Sequence, residues 1–253
     1  MKFLQKKISG IIKRIKCFKY GMFYFWNSQF AIPELLKING KMKQLKFIDV
    51  ADGSFVSEFT QICLYDCYHL ADLEEKLNKV ETIIDIGANQ GLFLIAARQL
   101  FPGARITCYE PNRNLESSLR HNATQLNATV FYEAVMKEDC WVKLNFSDSD
   151  LATSAFKSDD GTVQGTAFQK VIERVGEVDI LKMDCEGAEW ELLENADAWG
   201  NVHSLALEYH LWAKPEMNID GLFKLLANIN FKVIYHTLLT ADQGLVIAIN
   251  KNH

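Results

Sequence analysis

Proline is scarce in this 253-residue chain, four in all, and its 14 glycines are thinly spread. That excludes collagen-like, linker-rich and low-complexity architectures, and no internal repeat is present. Long apolar runs are missing as well. The longest charge-free stretch, Tyr20 to Pro33, has 14 residues and includes Asn27, Ser28 and Gln29, whereas a membrane span needs about 20 apolar residues. The first residues lack the unbroken apolar core and small-residue cleavage site of a secretory signal. Six cysteines (Cys17, Cys63, Cys67, Cys108, Cys140 and Cys185) show no disulfide-framework spacing, and a chain of this size needs no staples. Cys63 and Cys67 fall on one helix face, but no second Cys or His pair completes a zinc site. Reduced, buried thiols and a cytoplasmic location are therefore expected.

Acidic residues are absent from residues 1–33, which carry seven basic ones. The remainder holds 20 basic against 32 acidic side chains, net −12. An acidic body cannot readily neutralise a phosphate backbone, so no nucleic-acid partner is expected. With 49% hydrophobic and 23% charged residues, the composition is that of a globular protein. Within the basic segment, Leu4, Ile8, Ile11, Ile15, Phe18 and Met22 recur in steps of four and three, with Lys2, Lys6, Lys13 and Arg14 mostly opposite. This spacing predicts an amphipathic helix over residues 2–22. Its apolar face is expected to dock on the main domain, with peripheral contact to an anionic membrane as the alternative. Residues 43–50 and 54–64 read as short strands, or a strand and a helix. Residues 1–79 are thus expected to form an N-terminal appendage to a main domain at 80–253.

From Glu81 onward strands and helices alternate. Strands are predicted at Thr82–Asp85, Arg105–Glu110, Thr129–Val135, Val178–Asp184, Ser204–Tyr209, Phe231–Thr237 and Leu245–Ile249. Helices are predicted near Leu92–Leu100, Asn112–Asn122, Phe168–Val175, Ala188–Asn195 and Ile219–Asn230, and the stretch 136–167 is less regular. Strands separated by helices imply an α/β fold with a mostly parallel sheet and right-handed crossovers. The short link between the last two strands favours an antiparallel hairpin at the end.

The strongest motif is Ile84-Asp-Ile-Gly-Ala-Asn-Gln-Gly91, where the first strand of this region meets its helix, the ligand end of an open α/β sheet. Glycines at such a turn let the backbone approach a ligand. A dinucleotide site would show G-x-G-x-x-G, with a pyrophosphate on the helix N-terminus. Here the spacing is G-x-x-x-G and a carboxylate, Asp85, precedes it. That carboxylate repels a pyrophosphate but suits a ligand with an ammonium group, which S-adenosylmethionine has. Glu110 ends the second strand 19 residues past Gly91, close to the spacing of about 20 at which an acidic residue meets a ribose diol. Two alternatives remain open from the residues alone: an NAD-type oxidoreductase, which the missing third glycine argues against, and a catalytically dead scaffold with the same fold.

Four segments, Asp85–Gly91, Tyr109–Asn112, Leu181-Lys-Met-Asp-Cys-Glu-Gly-Ala-Glu189 and Leu207–His210, together resemble the FkbM-type methyltransferases. The resemblance covers about residues 80–250. It implies a Rossmann-like seven-stranded methyltransferase fold and S-adenosylmethionine-dependent methyl transfer. The acceptor it implies is a small molecule or glycan, methylated on an oxygen of a sugar or secondary metabolite. The cofactor would be held by Asp85, Gly87, Asn89, Gly91 and Glu110, with Ala88 in the same turn and adenine near Ala134 and Val135. Members often carry Thr-Leu-Asp where this chain has Thr166-Ala167-Phe168, so the aspartate's contribution is missing at that position.

Lys182, in an otherwise apolar strand, needs a partner. Carboxylates at 184, 186 and 189 surround a helix N-terminus, which favours negative charge, and capping accounts for Glu189. Asp184 and Glu208, at the ends of neighbouring strands, are the expected catalytic pair. Asp184 would lie near the transferring methyl, and Glu208 would orient or deprotonate the acceptor. No metal site is assigned, although Asp184, Glu208 and His210 could converge on one.

Overall fold

In the computed structural model, which describes residues 11, 13–23, 31–48, 53–146 and 153–253, the N-terminal segment begins with a helical stretch over residues 13–19. Residues 1–10 and 12 of the expected basic helix lie outside the described residues. Of the described residues of the expected apolar face, Ile11, Ile15 and Phe18 are 52%, 62% and 65% exposed and Met22 is buried, as are Cys17 and Tyr20 beside it. The attachment is at the C-terminal end of this helix. There the Tyr20 ring packs edge-on against Phe59, 5.7 Å between centroids, and Lys37 N–H donates to Tyr20 O.

Strands β1 (Leu35–Ile38) and β2 (Lys41–Gln44) form a hairpin around Asn39-Gly40. Both residues have positive φ, 45° and 77°, the conformation an Asn-Gly hairpin turn adopts. Helix α1 (Gly53–Phe59) runs into one π-helical stretch, Thr60–Leu64, so 54–64 is helical throughout. Helix α2 (Leu70–Lys76) follows. Its first N–H groups, on Leu70 and Ala71, donate to the Asp66 carboxylate at 2.8 and 2.9 Å, which satisfies donors that a helix start leaves free. These turns leave Tyr68 buried and facing the main sheet.

The main region continues with β3 (Thr82–Ile86), α3 (Leu92–Leu100), β4 (Arg105–Tyr109), α4 (Glu116–Leu126) and β5 (Ala128–Phe131). Next come β6 (Ala134–Met136), β7 (Cys140–Phe146), β8 (Thr153–Lys157) and β9 (Val163–Ala167), then α5 (Phe168–Val175) and β10 (Ile180–Met183). Helix α6 (Glu189–Leu193), β11 (Ser204–His210), α7 (Ile219–Asn228), β12 (Phe231–Leu238) and β13 (Gln243–Asn250) complete the chain. The seven-stranded sheet has the order β12-β13-β11-β10-β3-β4-β5. Its strands are parallel except β13, which lies antiparallel between β11 and β12. This is the expected α/β, Rossmann-like seven-stranded methyltransferase fold.

Two details depart from expectation. The third strand ends at Phe131, and Ala134–Met136 leaves it for a separate four-stranded sheet of order β6-β9-β7-β8. Among the described residues, the stretch after 136 thus carries three strands, β7, β8 and β9. Its small core, Ala134, Met136 and Val142, is too local for a long-range alternation to reveal. The helix after the second strand starts at Glu116, behind a 3₁₀ turn at Arg113–Leu115 in which Asn112 Oδ1 accepts from Asn114 N–H.

Alternation places the site. On the main sheet Ile84, Ile86, Leu181, Met183, Leu205 and Leu207 face the core under α5, α6 and α7. Ile83, Ile180 and Ala206 face the opposite core, under α3, α4 and the N-terminal elements. Successive strand residues point to opposite faces, so Asp85, Lys182 and Glu208 belong to the second face. Parallel register sets Lys182 directly beside Asp85.

Candidate active site

The turn after β3 is fixed by packing before any ligand is considered. Gly87 has φ +77°, and a Cβ there would lie 1.7 Å from the backbone oxygen of Asp184. Asn89 and Gly91 are also left-handed, at φ 48° and 88°. Gly87 N–H and Ala88 N–H both donate to Tyr109 O, at 3.0 and 3.1 Å, which ties the turn to the end of β4. The Glu110 carboxylate accepts from Asn89 N–H and from Asn112 N–H, each at 2.8 Å. Burial pushes this carboxyl up to about 7, against the pull of those two N–H groups.

Behind the turn lies a buried ion pair. Lys182 Nζ is 3.2 Å from Asp85 Oδ1 and 3.7 Å from Asp184 Oδ2, and it donates to Gly87 O at 2.6 Å and Ile86 O at 3.2 Å. Burial works to discharge this lysine, but Asp85 and Asp184 hold it above its ordinary value. Burial raises Asp85, with Lys182 opposing. Lys182 thus neutralises the carboxylate that the sequence suggested for a ligand's ammonium group.

At the strand ends carboxylates crowd together. The Tyr68 hydroxyl lies between Asp184 Oδ2, at 3.5 Å, and Glu208 Oε2, at 3.4 Å, one proton for two acceptors. Gln243 donates to Glu208 Oε1 at 3.4 Å. Burial, and then the charge of Asp184, push Glu208 up to about 8, and burial raises Glu186. His210 is fully buried. Its Nδ1 lies 3.0 Å from Glu189 Oε1, which also accepts His210 N–H at 2.8 Å. Burial acts to lower His210, but the Glu189 hydrogen bond and the surrounding carboxylates raise it to about 9. Glu189, expected as a helix cap, does accept Gly187 N–H at 2.8 Å, but its other oxygen ties the helix to the end of β11.

Two clefts meet here. The first is lined by Gly87, Asn89, Tyr109, Glu110, Ala134 and Val135, together with Asp184 and Glu186. The second holds Tyr68, Ala88, Lys182, Glu208 and Gln243, and it shares Gly87, Asn89, Asp184 and Glu186 with the first. Of the expected cofactor residues, Gly87, Asn89, Glu110, Ala134 and Val135 line the first cleft and Ala88 the second. Asp85 and Gly91 line neither. Asp184 and Glu208 come together across the Tyr68 hydroxyl.

Tyr68 and Gln243 escaped the sequence reading, because both are brought in from elements remote in the chain and neither sits in a motif. The Thr166-Ala167-Phe168 departure has a local substitute: Asp139 Oδ1 accepts Ala167 N–H at 2.9 Å, so a carboxylate still stands at the start of α5.

Comparison with solved structures returns methyltransferases at low identity. A magnesium protoporphyrin IX methyltransferase from Synechocystis PCC 6803, solved with its bound cofactor SAM, is 11% identical over 81% of this chain and 86% of that one, with a TM-score of 0.49. A precorrin-6y C5,15-methyltransferase from Geobacter metallireducens GS-15 is 17% identical over 71% and 85%, TM-score 0.40. Aeropyrum pernix fibrillarin, in complex with S-adenosyl-L-methionine, is 13% identical over 68% and 67%, TM-score 0.44. No curated protein matches. The model of the methyltransferase FkbM domain matches residues 85–233, more than half of the chain. That span begins at the aspartate paired to Lys182 and takes in Glu110, Asp184, Glu208 and His210. By this match the chain belongs to the FkbM methyltransferase family.

Proposed function

We propose that this methyltransferase uses S-adenosylmethionine to methylate a hydroxyl oxygen of a sugar or other small metabolite. The observation that carries the reading is the pair of clefts that share Gly87, Asn89, Asp184 and Glu186: one for a cofactor, one for an acceptor, with a common wall. The polar groups fit the cofactor. Glu110 offers a carboxylate for a ribose diol, Ala134 and Val135 an apolar edge for a base, and Glu186 negative charge for the cationic end. Asp85, paired to Lys182, holds the turn instead of touching the ligand. When bound, the cofactor supplies a methyl group activated on a sulfonium.

The chain's own residues then have two tasks. Asn89, Glu110 and the Gly87 turn fix the donor at one side of the wall. Tyr68, Asp184 and Glu208 hold the acceptor hydroxyl at the other, and alignment of this kind can contribute several kcal/mol, up to about 7–11, toward a barrier. Glu208 or Asp184 takes up the hydroxyl proton as the oxygen becomes bonded to carbon, a contribution of about 10²–10⁴ in rate. An acceptor with many hydroxyls suits a cleft rich in carboxylate acceptors.

A methyl-transfer screen over glycans, lipids and hydroxylated small metabolites tests the reading, with equilibrium binding of S-adenosylmethionine against NAD as control. Preference for NAD would overturn the cofactor assignment. On a confirmed acceptor, Asp184→Asn and Glu208→Gln should each lose at least tenfold in turnover while cofactor affinity stays within a few-fold. Wild-type turnover in both would remove them from the chemistry.

A further inference from the structure

Three side chains from two neighbouring strand ends aim donor atoms at one point. An atom each from Asp184, Glu208 and His210 lie within 4.8 Å of one another. Carboxylates alone would prove little, since acidic groups cluster on many surfaces. The independent observation is the imidazole. His210 is fully buried, yet its Nε2 has no hydrogen-bond partner. The nearest oppositely charged atom, Glu186 Oε2 at 3.5 Å, is not in hydrogen-bonding geometry, and a buried polar nitrogen without a partner is costly. The other ring nitrogen, Nδ1, is engaged by the Glu189 carboxylate. A carboxylate behind one imidazole nitrogen, with the other presented to a cluster of carboxylates, is the arrangement by which proteins fix a histidine toward a metal ion.

We propose that Asp184, Glu208 and His210 bind a first-row divalent metal ion at the wall between the two clefts. One imidazole nitrogen with two carboxylate oxygens is a mixed donor set: oxygen ligands alone suit magnesium or calcium, whereas an imidazole favours the transition metals. The local charge agrees. Three carboxylates, Asp184, Glu186 and Glu208, line the second cleft, and the cation beside them, Lys182, lies 3.7 Å from Asp184 while also serving Asp85 and two backbone carbonyls. Asp184 and Glu186 line both clefts and Glu208 the second, so the ion would keep positions open toward a substrate oxygen. The site deepens the methyl-transfer reading only in its consequence, since a bound ion would orient an acceptor hydroxyl and ease loss of its proton. Binding of the metal itself does not depend on that reading.

Another group, Glu177, His203 and His253, also meets the distance condition. It lies at the opposite end of the sheet, and His203 is already paired with Glu177 at 2.9 Å and Asp179 at 3.2 Å. It serves as the internal control.

The test uses the full chain, stripped with chelator and titrated with Mn²⁺ alone, reading free Mn²⁺ by electron paramagnetic resonance. The expected result is one ion per chain, with nitrogen coupling to the bound ion in pulsed spectra. Asp184→Asn and Glu208→Gln should each weaken binding at least tenfold, and His210→Gln should abolish the nitrogen coupling. His203→Ala should change nothing. Because His210 is buried, melting curves accompany each variant. If His210→Gln does not fold, the half-buried Asp184 and Glu208 variants and the wild-type nitrogen coupling decide. No stoichiometric binding up to millimolar Mn²⁺, binding without nitrogen coupling, or binding lost in His203→Ala and retained in Glu208→Gln would overturn the site. S-adenosylmethionine affinity of the metal-free protein, measured separately, reports on the methyltransferase reading and is independent of these outcomes.

Discussion

Replacing Lys182 by methionine isolates the charge that holds the cofactor turn. The substitution keeps the volume of the buried stem but leaves Asp85, fully buried, beside no cation. The Asp85 carboxyl then does best to take up a proton. Starting from an ordinary value of 3.8, protonation at pH 7 costs at most about 4.4 kcal/mol, at about 1.36 kcal/mol per pH unit. This falls within the range of about 3–5 kcal/mol typical of breaking a buried pair from one side. At pH 5 the same arithmetic gives about 1.6 kcal/mol. The sign follows from linkage. In the variant the folded-state Asp85 sits above its unfolded value, so the stability tied to its proton is present at low pH and lost as pH rises through the raised value. The stability gap between variant and wild type should therefore narrow by up to about 3 kcal/mol from pH 7 to pH 5. Asp85→Asn should cost less, because Lys182 keeps Gly87 O, Ile86 O and Asp184 as partners. The double variant should recover most of the loss. Urea denaturation of the three variants at pH 5, 6 and 7 provides the comparison. A gap independent of pH, or Asp85→Asn costing more than Lys182→Met, would refute the view that Lys182 exists to neutralise Asp85.

Gly87→Ala should destabilise by about 2–5 kcal/mol, combining a left-handed backbone with overpacking against Asp184 O, and a melting temperature within 2 °C of wild type would contradict the packing account. S-adenosylmethionine affinity should fall as pH drops through about 7, where Glu110 takes up a proton and loses acceptor capacity. Calorimetric titration from pH 8 to 5.5 checks this, and Glu110→Gln should flatten the dependence. The exposed face of Ile11, Ile15 and Phe18, beside Lys16 and Lys19, is proposed to meet an anionic lipid surface. Ile15→Glu with Phe18→Glu should leave stability within about 0.5 kcal/mol yet reduce co-sedimentation with anionic vesicles, and unchanged sedimentation would discard the membrane contact. Among the described residues no helix is long and apolar enough to cross a bilayer.

Features that depend only on neighbours along the chain could be read from the residues. Strand–helix alternation from Glu81 onward is carried by period and turn residues, so the α/β class and the antiparallel last pair were legible, as was the turn at Gly87–Gly91. Glu110 could be found because a strand end at a fixed distance from a glycine turn is a one-dimensional feature. The hairpin at Asn39-Gly40 had a signal of the same kind that went unread. Tertiary structure decided the rest. Lys182 needed a partner, but only parallel register could say that its nearest one was the buried Asp85, with Asp184 second. Gly87 owes its identity to Asp184 O, a contact between two strand tips nearly a hundred residues apart. Ile15 and Phe18 had the spacing of a docked face and are exposed, because the packing of Tyr20 on Phe59 sets which side of that helix meets the core. Tyr68 reaches Asp184 and Glu208 through turns with no periodicity to read. A pattern along the chain records which residues share a face, whereas charge pairing and donor convergence depend on which faces are brought together.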